Sequence, residues 1–163
     1  MKFTNHILLS TFATGLMILS CIAGGQKKSG SEEPTEPLVD SVKIEAYRKF
    51  EELISLAYSD IHLPTDLQPG DILDSSFSED VNVWKEKALR VKEYSHMASE
   101  IIAPYDSSHY YEASTAASFA DMVVFYADQY LSGEGLAYID KCLVSAGHSA
   151  SCLHNIRYEL SRE

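Results

Sequence analysis

The residue types best suited to chemistry in this 163-residue chain are its cysteines, one Glu-x-x-His pair, a run of carboxylates and a concentration of tyrosines. Cys142 and Cys152 each lie five residues from Gly147. That glycine reads as the turn of a helical hairpin, so the two thiols are expected to face each other and form a structural disulfide. Closing a loop of that size would stabilise the fold by roughly 2 to 3 kcal/mol. Their nine intervening residues match neither the Cys-x-x-Cys of a redox motif nor a zinc knuckle. Glu93 and His96 stand at the i, i+3 spacing with which di-iron helical bundles aim a carboxylate and an imidazole at one metal. Such a centre requires a second Glu-x-x-His and two further carboxylates. Only Asp106-Ser-Ser-His109 has comparable spacing, and it straddles an expected helix start, so a solvated surface pair is the simpler reading of Glu93 and His96. Asp66, Asp71 and Asp74, with Asp60, Glu79 and Asp80 nearby, supply oxygens of the kind calcium takes. No Asp-x-Asp-x-Asp-Gly loop orders them, and an acidic solvated loop is the simpler reading. Five of the ten tyrosines fall between Tyr105 and Tyr130. Tyrosine joins apolar area to a hydroxyl and suits binding surfaces, but most of these five belong to a helix with several apolar faces. Tyr105 and Tyr111, near the helix start, are the two expected to be exposed and available for binding.

No Gly-x-Ser-x-Gly, phosphate loop, dinucleotide fingerprint, haem-attachment motif or zinc-protease His-Glu-x-x-His occurs in the sequence. No cofactor and no enzymatic activity are therefore expected. With 24 acidic against 13 basic residues, the chain carries a formal charge of −11. Such a balance repels nucleic acid and anionic lipid headgroups; cationic partners or divalent ions are charge-compatible, and solubility alone is the simpler explanation.

These residues must be positioned by helices. Val39, Val42, Ala46, Phe50, Leu53 and Ala57 recur every three or four residues and predict a first helix from about Leu38 to Tyr58. Residues 59–79 hold Pro64, Pro69 and Gly70, follow neither period, and read as a loop long enough to be a site in its own right. Ser76 and Glu79 have the spacing of a capping box. A second helix follows with Val81, Trp84, Ala88, Val91, Tyr94, Ala98 and Ile101 on one face, stopped by Pro104. A third is expected from Ser108 to Leu131, with Gly133 and Gly135 breaking the chain after it. A fourth starts at Leu136 and ends at Gly147, and Ser149 caps a last helix reaching Leu160. The fold class is all-α: an antiparallel bundle of four to five helices over residues 38–163. Ala117 to Ala146, with its alanine and aromatic positions, glycine turn and Gly135-Leu-Ala-Tyr138, resembles one tetratricopeptide hairpin, which would imply a peptide-binding groove. It lacks the proline after the second helix, and an isolated repeat has no neighbour on which to stack.

The N-terminus carries a different kind of information. After Lys2, an apolar stretch from Ile7 to Leu19 is interrupted by Ser10, Thr11, Thr14 and Gly15 and ends in Ile18-Leu19-Ser20-Cys21. It is too short for a bilayer, which takes about 20 apolar residues. Its order of basic, apolar and small-residue regions is that of an export signal. The ending resembles the lipobox of bacterial lipoproteins. That resemblance implies removal of residues 1–20, diacylation of Cys21 and attachment of the mature chain to a membrane through that lipid. Ile22 rather than aspartate after the cysteine favours, by the same resemblance, the outer membrane. Residues 21–37 are then the acylated cysteine and a flexible linker rich in glycine, serine, proline and charge. The functional expectation is a membrane-anchored envelope lipoprotein acting as a protein-binding or scaffolding module. A surface adhesin for host components, a metal-binding helical-bundle enzyme on Glu93 and His96, and a tetratricopeptide-like peptide binder are the alternatives.

Overall fold

A computed structural model of the protein describes residues 36–64 and 76–162. Four α-helices account for nearly all of them: α1 Glu36–Asp60, α2 Phe77–Ile102, α3 Ser107–Leu131 and α4 Ala137–Leu160. α1 packs on α2 and on α4, α2 on α3, and α3 on α4, which closes the four into an antiparallel bundle. The ion pairs Lys85–Asp128 (2.6 Å) and Lys92–Asp121 show α2 and α3 running in opposite directions, and Arg90 on α2 pairs with Asp60 at the end of α1 at 2.8 Å. α2 packs against α3 of the α3–α4 hairpin and α1 against its α4.

The core follows from the stripes. On α2 the buried positions are Phe77, Val81, Trp84, Ala88, Val91, Ser95, Ala98, Ser99 and Ile102; all but Ser99 follow an alternation of four and three. Sequence reading places Tyr94 and Ile101 on this stripe. Both are only half-buried, and the 3.5-residue repeat of a packed helix seam carries the stripe on through Ser95 to Ile102 instead. α3 buries Ala113, Ala116, Ala117, Ala120 and Ala127, and α4 buries Cys142, Ser145, Ala146 and Ser149, so both helices give mainly small residues to the core. Ser149 Oγ donates to the Ala116 carbonyl at 2.9 Å across it. At the start of α2 the Glu79 amide bonds the Ser76 carbonyl, and the expected side-chain cap from Ser76 is not made.

Two expectations are corrected. α4 runs through Gly147 without a break, so the predicted fourth and fifth helices are one. A glycine costs only about 1 kcal/mol in a helix interior, too little to stop a helix whose buried residues continue on both sides, from Ile139 to Ile156. Consequently Cys142 and Cys152 sit ten residues apart on one helix, about 15 Å along its axis, whereas a disulfide needs Cα atoms within about 7 Å. Both are free thiols. The second correction concerns α1, which buries Phe50, Leu53, Ile54 and Ala57 but leaves Val42 exposed and Ile44 69 % exposed. Its first three turns project beyond the level at which Tyr47 meets the start of α3.

Candidate functional site

The densest arrangement of chemically capable groups among the described residues lies where α1, the start of α3 and the end of α4 converge. Asp106 is the N-cap of α3, in extended conformation (φ −150°, ψ 106°), and its Oδ1 accepts from the amides of Ser108 (2.9 Å) and His109 (3.0 Å). These are two of the donors that every helix start leaves unpaired. Its second oxygen, Oδ2, accepts from His109 Nδ1 at 2.8 Å and from the Tyr47 hydroxyl on α1 at 3.2 Å. Burial pushes the Asp106 carboxyl up, but the amide and imidazole of His109 and the Tyr47 hydroxyl outweigh it and hold the group below the usual carboxylate range. An ionised carboxylate only accepts, so Nδ1 of His109 carries the proton.

His109 is 3 % exposed, with its ring tilted against Phe50 at 5.5 Å. Its other nitrogen, Nε2, is 3.4 Å from Glu159 Oε2, within ion-pair distance but without hydrogen-bond alignment. One turn along α3, burial and the charge of Glu159 raise Glu112, while His109 and the Asn155 side chain pull the other way. Its Oε2 is buried without a hydrogen-bond partner. Cys152 borders the same group: burial and the charge of Glu112 raise its thiol. Burial alone pushes Cys142 up to about 11. Nucleophilic cysteines have depressed values, so neither thiol is activated. The cluster can hold and exchange protons and can pin three helices together, and it contains no activated nucleophile.

Tyr47 also lines an open groove of about 700 Å³ with Asp40, Lys43, Ile44, Arg48, Glu51 and Leu160. On its walls Arg48 is paired with Glu45, and Lys43 lies over the Tyr47 ring.

The residues singled out by sequence are scattered. Glu93 and His96 are both exposed on α2, where His96 Nε2 lies 3.5 Å from Glu100, and the carboxylates and second histidine of a di-metal centre do not surround them. Among the described residues no three His, Cys, Asp or Glu side chains stand together as a metal site. Tyr111 is exposed as expected, but Tyr105 is half-buried and packed against the core. Cys21, Asp66, Asp71 and Asp74 lie outside the described residues. Asp60, one of the loop carboxylates, is committed to Arg90. The Asp106–His109 pair, set aside because it straddles a helix start, is the centre of the cluster for that very reason. An aspartate followed three residues later by a histidine places an acceptor at the N-cap and a donor at the third helical position. Tyr47, Glu112 and Glu159 leave no comparable local signal.

The fold and cluster together define a four-helix bundle with a polar clamp at one end. No protein-family model, curated protein or solved structure matches the chain.

Proposed function

We propose that the chain is a membrane-anchored lipoprotein of the bacterial envelope whose helical bundle serves as a protein-binding or scaffolding module. The observation that carries this reading is the order of the first 21 residues, Lys2, the short apolar run, and Ile18-Leu19-Ser20-Cys21. Several features are consistent with it. α1 begins fifteen residues after Cys21, a length of chain suited to a tether. No helix among the described residues is long and apolar enough to cross a membrane, so a lipid at Cys21 would supply the anchor. Two acyl chains suffice for stable attachment, each contributing about 0.8 kcal/mol per buried CH₂. Removal of residues 1–20 takes away Lys2 alone and leaves 12 basic against 24 acidic residues, a charge that suits a module held off anionic headgroups.

Fractionation of cells expressing the wild-type chain and Cys21→Ser tests the proposal. The wild type is expected in the membrane fraction, and the variant is expected to accumulate with residues 1–20 uncleaved and without incorporating labelled palmitate. Equal palmitate incorporation by both chains, or a wild type that stays soluble, would overturn it. Protease treatment of intact cells separates the adhesin from the internally facing module: digestion before the outer membrane is opened places the bundle outside.

A further inference from the structure

We infer that Asp106, His109 and Glu159 form a proton-operated latch: a proton taken up on Nε2 of His109 fastens the last turns of α4 to the start of α3, and its loss releases them. Nδ1 of the ring is committed to Asp106 at 2.8 Å, so Nε2 is the nitrogen at which the ring changes its charge. Nε2 is buried and has no hydrogen-bond partner, and it faces Glu159 Oε2 on α4 across 3.4 Å. The buried ring is held in this attitude by Asp106 and by Phe50 of α1 at 5.5 Å.

The groups around the ring decide what that proton does. From α3 come Asp106 and, one turn along, Glu112, whose Oε2 is buried without a partner. From α4 come Glu159 and, bordering Glu112, Cys152 and Asn155. From α1 Tyr47 bonds Asp106, and Phe50 brings no charge. No side chain of α2 pairs with the cluster among the described residues, where Lys85, Arg90, Lys92 and His96 are paired with other carboxylates. With one proton, on Nδ1, the Nε2 lone pair faces an ionised carboxylate, and two acceptors in contact repel each other. A second proton makes Nε2 a donor and the ring a cation. The same approach then becomes a charge-assisted bond as the half-exposed Glu159 side chain turns into line. Glu112 also attracts that cation.

Glu159 gives the buried ring its route to solvent, since its side chain is 52 % exposed. Imidazole is the side chain that changes charge between about pH 5 and 8, so the latch operates in mild acid. The protonated form is the fastened one; fastening is therefore fullest at the acid end of that range and is lost as pH rises through it. Solvent screens the outer part of Glu159, which limits the gain to that of a partly exposed ion pair, a factor of about five in the opening of the α4 end. Leu160, the next residue, lines the open groove beside Tyr47, so the latch also sets the position of one wall of that groove. None of this rests on lipid attachment.

Hydrogen exchange of the full-length chain in detergent micelles, followed by NMR between about pH 8 and pH 5, tests this inference. Protection of the amides of Tyr158, Glu159, Leu160 and Ser161, corrected for the intrinsic pH dependence of exchange, is expected to rise about five-fold on acidification. The midpoint of the rise should coincide with the titration of the His109 ring, read from its own imidazole resonances. Glu159→Gln changes a half-exposed side chain and offers the ring both a donor and an acceptor, so it should fold as the wild type does and show no rise. Unchanged helical circular dichroism checks its fold. A wild type equally protected across the range, a midpoint that departs from the His109 titration, or a full rise in Glu159→Gln would each overturn the inference.

Discussion

Asp106 performs two tasks that are usually divided between residues. One oxygen caps α3, and the other gathers His109 and Tyr47 from the two elements that meet there. Asp106→Ala removes the cap and leaves a buried imidazole without its acceptor, and a loss of roughly 2 kcal/mol is expected in urea denaturation. The two perturbed carboxyls give opposite pH dependences. Asp106 is held below its ordinary value, so its stabilisation is full above that value, 3.8, and is lost as pH falls through the lower folded value. Glu112 is raised, so its favourable contribution is full below its ordinary value, 4.5, and is lost as pH rises through the higher folded value. Glu112→Gln is therefore expected to be more stable than wild type at pH 7, with the difference closing as pH falls through the raised folded value toward 4.5. A gap that widens on acidification would contradict the assignment. Ser95 presents a simpler case, since its hydroxyl is fully buried and has no hydrogen-bond partner among the described residues. Ser95→Ala is expected to raise stability by about 1 kcal/mol, because an unsatisfied buried hydroxyl costs about that much or more. At this scale the sequence was informative where one residue's role depends on near neighbours, as with Asp106 and His109. It was silent on Glu159 and Tyr47, whose roles arise from packing between distant elements.

The helices themselves were largely legible, because apolar spacing on α2 and α3 is dense enough to define a face. The misreadings share a physical origin: local signals were given weight that tertiary packing overrides. Gly147 looked like a turn, yet it is helical, and a Cβ added there would meet nothing within 4 Å. Gly147→Ala should therefore stabilise the protein by about 0.5 to 1 kcal/mol, since alanine removes backbone entropy from the unfolded chain. A turn glycine would respond with a loss. By contrast, Gly133 and Gly135 do end α3, and both sit at positive φ (+88° and +106°), where a side chain is strained. The continuity of α4 also fixes the fate of the cysteines. With Cys142 and Cys152 about 15 Å apart along one helix, addition of a reducing agent is expected to leave the melting temperature unchanged, and both thiols should react with a thiol reagent after unfolding. A reductant-sensitive melting temperature would require the helix to bend back at Gly147. The projecting first turns of α1 were misread for a related reason, because a periodic stripe indicates a helix without indicating where its partners stop.

At the scale of the whole molecule, the closed bundle follows from four helices whose stripes are too wide to leave one face uncovered and whose connections from α2 to α3 and from α3 to α4 are only four and five residues long. The function proposed for the chain rests most on its first 21 residues, whose order is that of an address rather than of a reaction. Intact-mass spectrometry of the protein recovered from membranes addresses that address directly. A chain beginning at Cys21, heavier than residues 21–163 by a diacylglyceryl group, is the expected result. A chain that retains Met1, or one that is cut elsewhere and carries no lipid, would contradict the anchored module proposed for this bundle.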